Sequence, residues 1–381
     1  MTQPTMGVMA RSLKENERRH PLHPHHLERI PRPIRDSIFF EHGYGDDFGL
    51  SDDHLKDQVG GMRTRGELIA ECDVIMQPKP MLEDITALRV GQTFWGWPHC
   101  VQDRKLTQVA IDRRLTVIAF EAMNHWHRDG SYNLHVFHKN NEMAGYCSVL
   151  HAMQIAGITG AYGPRLSAVV IGFGATARGA VCALNSLGVY DVDVLTHRAV
   201  AAVGAPIHSA QMVHFDDEIP GHVSRAVTEE GSVPLTRFLA DHDIIVNCVL
   251  QDPNAPLMFM TDDDLAHTKP GTLVVDVSCD DGMGFSWARP TTFDEPTFVV
   301  GSNLLYYGVD HSPSYLWNAA TWEISEALIP FLGTVLQGGD AWESVPTIHR
   351  AVEIRDGVIQ NPAILAFQRR SPQYPHAPLT T

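Results

Sequence analysis

The sequence predicts an α/β protein of two domains, the second built on a doubly wound parallel sheet. Three observations carry this expectation. The stretch 167–179, SAVVIGFGATARG, runs an apolar segment into a glycine turn and then into a helix-compatible segment ending near Leu187. That is the order of a buried parallel strand, a tight turn and a helix N-terminus. Further apolar runs at 192–198, 212–215, 243–250, 272–280 and 297–301 follow with helical spacers between them. Six such strands over about 140 residues fit a doubly wound sheet. Upstream, strand-like runs alternate with helix-like segments, the rhythm of another α/β domain with a largely parallel sheet.

In chain order, MGVMA at 6–10 reads as a strand and 11–24 as polar and turn-rich. SIFFEH at 37–42 is a second strand, and 64–72 has helical apolar spacing. VIMQ at 74–77 is a strand stopped by Pro78 and Pro80, and TFWGW at 93–97 is another stopped by Pro98. A helix is expected over 106–114 and a strand over 116–121. Polar loops therefore follow Ala10, Gln77 and Trp97 at strand C-termini, the edge where ligands collect in open α/β sheets. The polar stretch 124–141 reads as an irregular connector, and 142–158 as a long helix with Ala144, Gly145, Ser148 and Ala152 on one side. Beyond the second sheet, 311–336 reads as one amphipathic helix with Leu316, Ala320, Ile324, Leu328 and Phe331 at helical spacing. A hairpin is expected around Asp356-Gly357, and the Pro-rich tail from Ser371 reads as disordered.

Length and composition bound the function. A chain of 381 residues accommodates two domains. Its net charge of −16 argues against nucleic acid or an anionic membrane as the main partner. No apolar run reaches the roughly 18–20 residues of a membrane span. The first twenty residues lack the apolar core of a secretory signal. Six cysteines (Cys72, Cys100, Cys147, Cys182, Cys248 and Cys279) are scattered without CxxC spacing, which reads as reduced thiols in a cytoplasmic protein. The groups His20, His23, His25, His26 and His125, His127, His135, His138 lack a cysteine or carboxylate set at metal spacing. No metal is expected, and these histidines read as surface residues.

The glycine turn has the layout that binds a dinucleotide pyrophosphate. Gly172 permits the turn, Gly174 lets backbone approach the phosphates, and Ala177 fills the third small position. The expected cofactor set is Gly172, Gly174, Thr176, Ala177, Thr196 and Arg198, with Cys248, Val249, Val277 and Ser278 at the ends of later strands. NAD enzymes usually end the second strand with a carboxylate for the ribose hydroxyls. Here Thr196, His197 and Arg198 stand in that place. Arg198 suits a 2′-phosphate and Thr196 can hydrogen-bond it, which favours NADP(H) over NAD(H). The other reading makes Arg198 an exposed cap of the next helix, with NAD(H) as cofactor.

Further landmarks are KENERRHPLHP (14–24), IMQPKP (75–80), FWGWPHC (94–100), LTQVAIDRRLTVIAFE (106–121), EMAGY (142–146), KPGTLVVDVSCDDG (269–282) and VDHSPSYL (309–316). With the glycine turn, they make nearly the whole chain resemble the alanine dehydrogenase, pyridine nucleotide transhydrogenase and saccharopine dehydrogenase family. Within it, GWPH, AGYCSVLHA at 144–152, the HSPS-led segment and AVEIRDG are similar to the opine-forming N5-(carboxyethyl)ornithine synthases.

The resemblance implies two Rossmann-like domains flanking a cleft. Residues 1–142 with 311–381 would form the substrate domain and 143–310 the dinucleotide domain. It implies a homo-oligomer acting on small molecules. It also implies roles: Arg19 grips a substrate carboxylate, Lys79 contacts the 2-oxo acid, and His99 is the acid–base residue. Asp280 stands beside nicotinamide and substrate, and Glu121 is an acidic residue near the site. His311 replaces an asparagine of the alanine dehydrogenases and contacts the carboxamide or substrate, or caps the helix. The implied reaction is reductive condensation of a 2-oxo acid such as pyruvate with an amino acid's amine through an imine. The alternatives are an alanine-type dehydrogenase using ammonia and a non-catalytic nucleotide sensor. Pro80 replaces the acidic residue that follows the lysine in alanine dehydrogenases, which makes ammonia less suited.

Overall fold

Most of the expected apolar runs become strands, and they sort into two separate sheets. The computed structural model describes residues 4–197, 207, 209–216, 224–228, 231–251, 256–302 and 304–379. The chain first forms β1 (Met6–Val8), β2 (Ile38–Glu41), β3 (Gly61–Arg63), β4 (Val74–Gln77), β5 (Thr93–Gly96) and β6 (Thr116–Ala119). A hairpin of β7 (Asn124–Trp126) and β8 (Tyr132–His135) follows. Next come β9 (Ser167–Ile171), β10 (Asp191–Thr196), β11 (Gln211–Asp216), β12 (Arg225–Thr228), β13 (Gly231–Pro234) and β14 (Ile244–Asn247). After these are β15 (Met258–Met260), β16 (Leu273–Asp276), β17 (Gly284–Phe285), β18 (Thr297–Val300) and β19 (Leu304–Tyr307). Last are β20 (Val352–Arg355) and β21 (Val358–Ile359). The chain divides into two compact units, Met1–His138 with Trp317–Thr381, and Lys139–Leu316.

In the first unit the strand order is β21-β20-β6-β5-β4-β1-β2-β3. Strands β1 to β6 are parallel, while β20 is antiparallel to β6 and β21 antiparallel to β20 at one side. Both faces are buried. Val74, Met76 and Ile118 enter one core, and their neighbours Ile75 and Val117 enter the other. This two-sided burial is why the strands read as continuous apolar runs rather than alternating ones. Helix Arg65–Glu71 is fixed by a reciprocal cap between Thr64 and Glu67.

The second unit has the order β13-β12-β11-β10-β9-β14-β16-β19-β18. β9 lies centrally, with parallel neighbours β10 and β14, so the order reverses beside it. Val170 and Val246 pack on one face, Val169 and Ile245 on the other. β18 closes the sheet as an antiparallel outer strand, with β19 between it and β16. Helices His138–Ala156 and Ala175–Ser186 meet backbone to backbone. A Cβ at Gly145 would lie 1.9 Å from the Thr176 carbonyl oxygen, and one at Gly179 only 1.7 Å from that of Glu142. Among the described residues no helix is long and apolar enough to cross a membrane.

Several expectations need correction. The polar stretch 124–141 is no irregular connector: it holds β7 and β8 and the start of helix His138–Ala156. The single helix over 311–336 is broken into Ser312–Leu316, Trp317–Leu328, Ile329–Phe331 and Leu332–Gln337. The main break falls at Pro330, which has no N–H to give and crowds the preceding turn. The tail is ordered through Leu379, because the His376 ring is 1 % exposed and accepts the Ile359 N–H at 3.0 Å. His20, His23 and His26 are buried, not superficial. Their rings sit edge-on to Tyr44, Phe48 and Trp322, and Asn318 and Ser325 bond His23 and His26. Burial lowers the pKa of His23 and His26, so both are neutral at neutral pH. The hairpin forms as expected, with Asp356 (φ 51°) and Gly357 (φ 82°) both left-handed.

Gly179→Ala puts a methyl group into a carbonyl with no room to move. It should destabilise the protein by about 1–3 kcal/mol, read as a lowered thermal midpoint.

Candidate active site

Parallel strands deliver their following loops to one edge of a sheet. In the first unit, β6, β5, β4 and β1 are consecutive neighbours. The loops after them carry Glu121, His99, Lys79 and Arg19 respectively. Contacts tie these loops together. The Ser12 hydroxyl donates to the Lys79 carbonyl. The Trp97 N–H donates to the Pro78 carbonyl at 2.6 Å. The Arg19 guanidinium lies 5.0 Å over the Trp97 ring. The His99 N–H donates to Glu121 Oε1 at 2.7 Å.

Each side chain has a distinct setting. Arg19 is 6 % exposed and is gripped by the buried Glu17 carboxylate through Nε at 2.8 Å and through Nη2. The same carboxylate accepts the Arg19 N–H at 3.0 Å, so Glu17 fixes the orientation of the guanidinium fork. Lys79 is half-buried between two buried prolines. His99 has φ of 49°, a left-handed conformation uncommon outside glycine. Its ring stays 45 % exposed, with Nδ1 3.9 Å from Glu121 Oε1. Glu121 Oε2 is buried with no hydrogen-bond partner. Burial first, then the nearby Glu353 charge, push the Glu121 carboxyl well above the usual carboxylate range, against the pull of the His99 N–H and Lys79.

The second unit gathers the expected cofactor residues at the C-terminal edge of its sheet. Gly172 has φ of 110° and approaches Cys248 so closely that a Cβ would sit 3.3 Å from its carbonyl oxygen. Gly174 caps helix Ala175–Ser186, and a Cβ there would meet nothing within 4 Å. That open side, next to unpaired helix N–H groups, fits a pyrophosphate. Thr176 starts the helix, Ala177 is fully buried under it, and Thr196 ends β10 at 3 % exposure. Cys248 N–H donates to Ile171, Val277 N–H to Asn247, and the Ser278 hydroxyl to Val249. Arg198 lies outside the described residues.

The Asp276 carboxyl, wholly buried at the end of β16, accepts from Asn247 Nδ2, the Cys279 N–H and the Tyr306 hydroxyl. Burial pushes it up to about 6. Through Cys279 it holds a left-handed turn (φ 44°) that leads to Asp280. Asp280 is half-buried, and its carboxyl is raised by burial and by Asp281. His311 is 2 % exposed and bonds the Asp310 carboxylate at 2.7 Å, with Phe293 edge-on to its ring. Among the described residues no three His, Cys, Asp or Glu side chains group to hold a metal ion. Sequence reasoning missed Glu17, Asp276 and Glu353. For each the available signal is a lone acid inside or beside an apolar strand or next to an arginine.

Two parallel α/β sheets, one with a glycine turn at its order reversal, define a protein of the two-domain Rossmann-type dehydrogenase class. The family model described as alanine dehydrogenase/PNT, N-terminal domain, matches residues 7–144, and the C-terminal domain model matches 142–362. The chain belongs to the alanine dehydrogenase/PNT family. It is 25 % identical over 366 residues to an alanine dehydrogenase of Mycobacterium tuberculosis, covering 91 % of this chain and 92 % of that one. It is 23 % identical to an N(5)-(carboxyethyl)ornithine synthase of Clostridium botulinum, covering 82 % and 89 %. A solved L-alanine dehydrogenase superposes with TM-score 0.74 at 18 % identity, over 95 % of this chain and 98 % of the other. A transhydrogenase from Sinorhizobium meliloti gives 0.69 at 19 % identity, over 94 % and 99 %.

The folded Asp276 carboxyl holds its proton more tightly than an unfolded aspartate. The native state therefore binds more protons between 3.8 and about 6, and the Asp276 contribution to stability falls as pH rises through that window. An NMR titration of its carboxyl carbon should have a midpoint near 6. A midpoint near 3.8 would contradict the burial argument.

Proposed function

We propose that this oxidoreductase of amino-acid metabolism is an NADP(H)-dependent enzyme of opine-forming type. It condenses a 2-oxo acid such as pyruvate with the amine of an amino acid and reduces the imine. The observation that carries this reading is the convergence of Arg19, Lys79, His99 and Glu121 on the loops of four neighbouring strands. Arg19, held by Glu17, takes the oxo-acid carboxylate in a charge-assisted pair. Lys79 polarises the carbonyl for attack by the amine nitrogen, and water leaves as the C=N bond forms. The nicotinamide, when bound, supplies the hydride for the imine carbon. His99 carries the proton, since imidazole is the side chain whose unperturbed pKa near ~6.5 suits transfer at neutral pH. Asp280, after β16 in the second unit, serves beside the nicotinamide. Pro80, buried after Lys79, supports an amino-acid amine over ammonia, because it leaves no acid there to hold ammonium.

The cofactor is held by Gly172, Gly174, Thr176 and Ala177 at the helix N-terminus, and by Thr196, Cys248, Val249, Val277 and Ser278 along the strand ends. Thr196, in place of a carboxylate, and Arg198 after it support NADP(H).

Oxidation of NADPH and NADH, followed with pyruvate or 2-oxoglutarate while ammonia, ornithine, lysine or arginine is added in turn, tests the reaction. NADPH oxidation should require an oxo acid and an amino acid together. Turnover with ammonia alone would make the protein an amino-acid dehydrogenase, and binding without turnover a sensor. His99→Ala should lower the rate by about 10²–10⁴-fold while cofactor affinity stays unchanged. Arg198→Ala should weaken NADPH binding and leave NADH nearly untouched. Equal effects on both would exclude a 2′-phosphate contact.

A further inference from the structure

Lys79 stands in a loop with few donors of its own. Pro78 and Pro80 flank it, both buried, and neither has an N–H to give. The loop runs from Gln77, the last residue of β4, to Met81, which precedes helix Leu82–Ala87. One carboxylate oxygen closes that span. Asp84 Oδ2 accepts from Gln77 Nε2 at 2.9 Å on one side of the loop and from the Met81 N–H at 2.8 Å on the other. Gln77 is 1 % exposed, and the Asp84 side chain 2 %. A carboxylate three residues into a helix commonly reaches back to the N–H before it, and that bond alone would serve the helix. The bond to Gln77 does something else: it ties the start of the helix to the end of the strand, across Pro78, Lys79 and Pro80.

The other Asp84 oxygen, Oδ1, accepts from Arg65 Nη2, which also donates to Gln77 Oε1 at 3.1 Å. Arg65, Asp84 and Gln77 therefore form a closed ring of hydrogen bonds. Arg65 Nη1 donates to the Arg11 carbonyl at 2.9 Å. It lies 3.5 Å from Glu41 Oε2, which accepts the Ala10 N–H at 2.8 Å. Ser12, next along the β1 loop, gives its hydroxyl to the Lys79 carbonyl. The guanidinium thus ties together the loops after β1, β2 and β4, with both Nη groups turned to protein acceptors. We propose that Asp84, held by Arg65 and bonded to Gln77, is a positioning residue for Lys79. It fixes the course of the loop from Pro78 to Pro80, and so the point from which the Lys79 side chain reaches the 2-oxo acid. Charge-assisted bonds suit this task, being short and strongly directional. Removing the acid leaves the Gln77 amide and the Met81 N–H, both beside buried prolines, without their acceptor.

The link to substrate rests on the reading of Lys79 as the contact to the 2-oxo acid; the brace across the loop does not. Amide hydrogen exchange of the full chain tests the brace. Between 78 and 81 only Lys79 and Met81 carry an N–H. Asp84→Ala should speed exchange at Met81 by about 10–100-fold. Asp84→Asn, whose amide oxygen can still take both donors, should stay near wild type. Equal protection in Asp84→Ala and wild type overturns the brace. Kinetics with a substrate pair that turns over test the positioning. Gln77→Met has a side chain of similar length and suits a buried site, so it also serves should Asp84→Ala not fold. It keeps the bond from Met81 to Asp84 and the Arg65–Asp84 pair, and loses only the tie across the loop. KM for the 2-oxo acid should rise by about 10–100-fold with cofactor KM unchanged. A wild-type KM in Gln77→Met, where Lys79→Ala raises it, refutes the positioning role. A wild-type KM in Lys79→Ala refutes the reading of Lys79 itself, and the positioning role falls with it.

Discussion

A carboxyl that accepts the N–H of a left-handed turn residue recurs in both units, and the candidate residues of each unit depend on it. Glu121 holds His99 in the first, and Asp276 holds Cys279 in the second. A non-glycine residue at positive φ is strained by about 1–3 kcal/mol and persists only where its surroundings over-determine it. In both places the acid stands at the end of a parallel strand and the turn belongs to the same sheet edge. The bond fixes the turn that carries the next candidate residue, His99 in one unit and Asp280 in the other.

Parallel pairing supplies the rest of the arrangement. Since β1, β4, β5 and β6 run the same way, the loops after them rise at one edge, although up to about a hundred residues separate them in the chain. Short contacts then lock loop to loop: Ser12 to Lys79, Pro78 to Trp97, Arg19 to Trp97, His99 to Glu121. Arg19 sits in a buried ion pair whose two members are 5 % and 0 % exposed. A bare guanidinium in that setting would be strongly destabilising, so Glu17 is as much part of the site as the arginine.

Long apolar runs were legible from the sequence because strands buried on both faces have polar residues only at their ends. β4, β6, β9, β14 and β16 all show this. Some short or edge strands were not legible. β12 and β13 are half polar, as strands with one open face should be, and β3 is only three residues long. β19 was hidden by its closeness to β18, two apolar runs separated by a short turn. Helical spacing continued through Pro330 because apolar periodicity reports a buried face, not an unbroken hydrogen-bond ladder. Histidines 20, 23 and 26 looked superficial by residue type, and their aromatic neighbours Tyr44, Phe48, Trp317 and Trp322 explain their burial.

Sequence alone determined the strand–turn–helix at Gly172, the rhythm of two α/β units and the residue types available for amine and oxo-acid chemistry. These follow from local rules: apolar runs of strand length, glycine where the backbone turns left-handed, proline where a strand stops. Tertiary structure alone decided which of those residues share an edge. It also decided that Arg19 is already held by Glu17, and that the Glu353 strand, from the far end of the chain, lies beside β6. Strand order and crossover connections set such neighbours, and neither leaves a mark in the residues that finally meet.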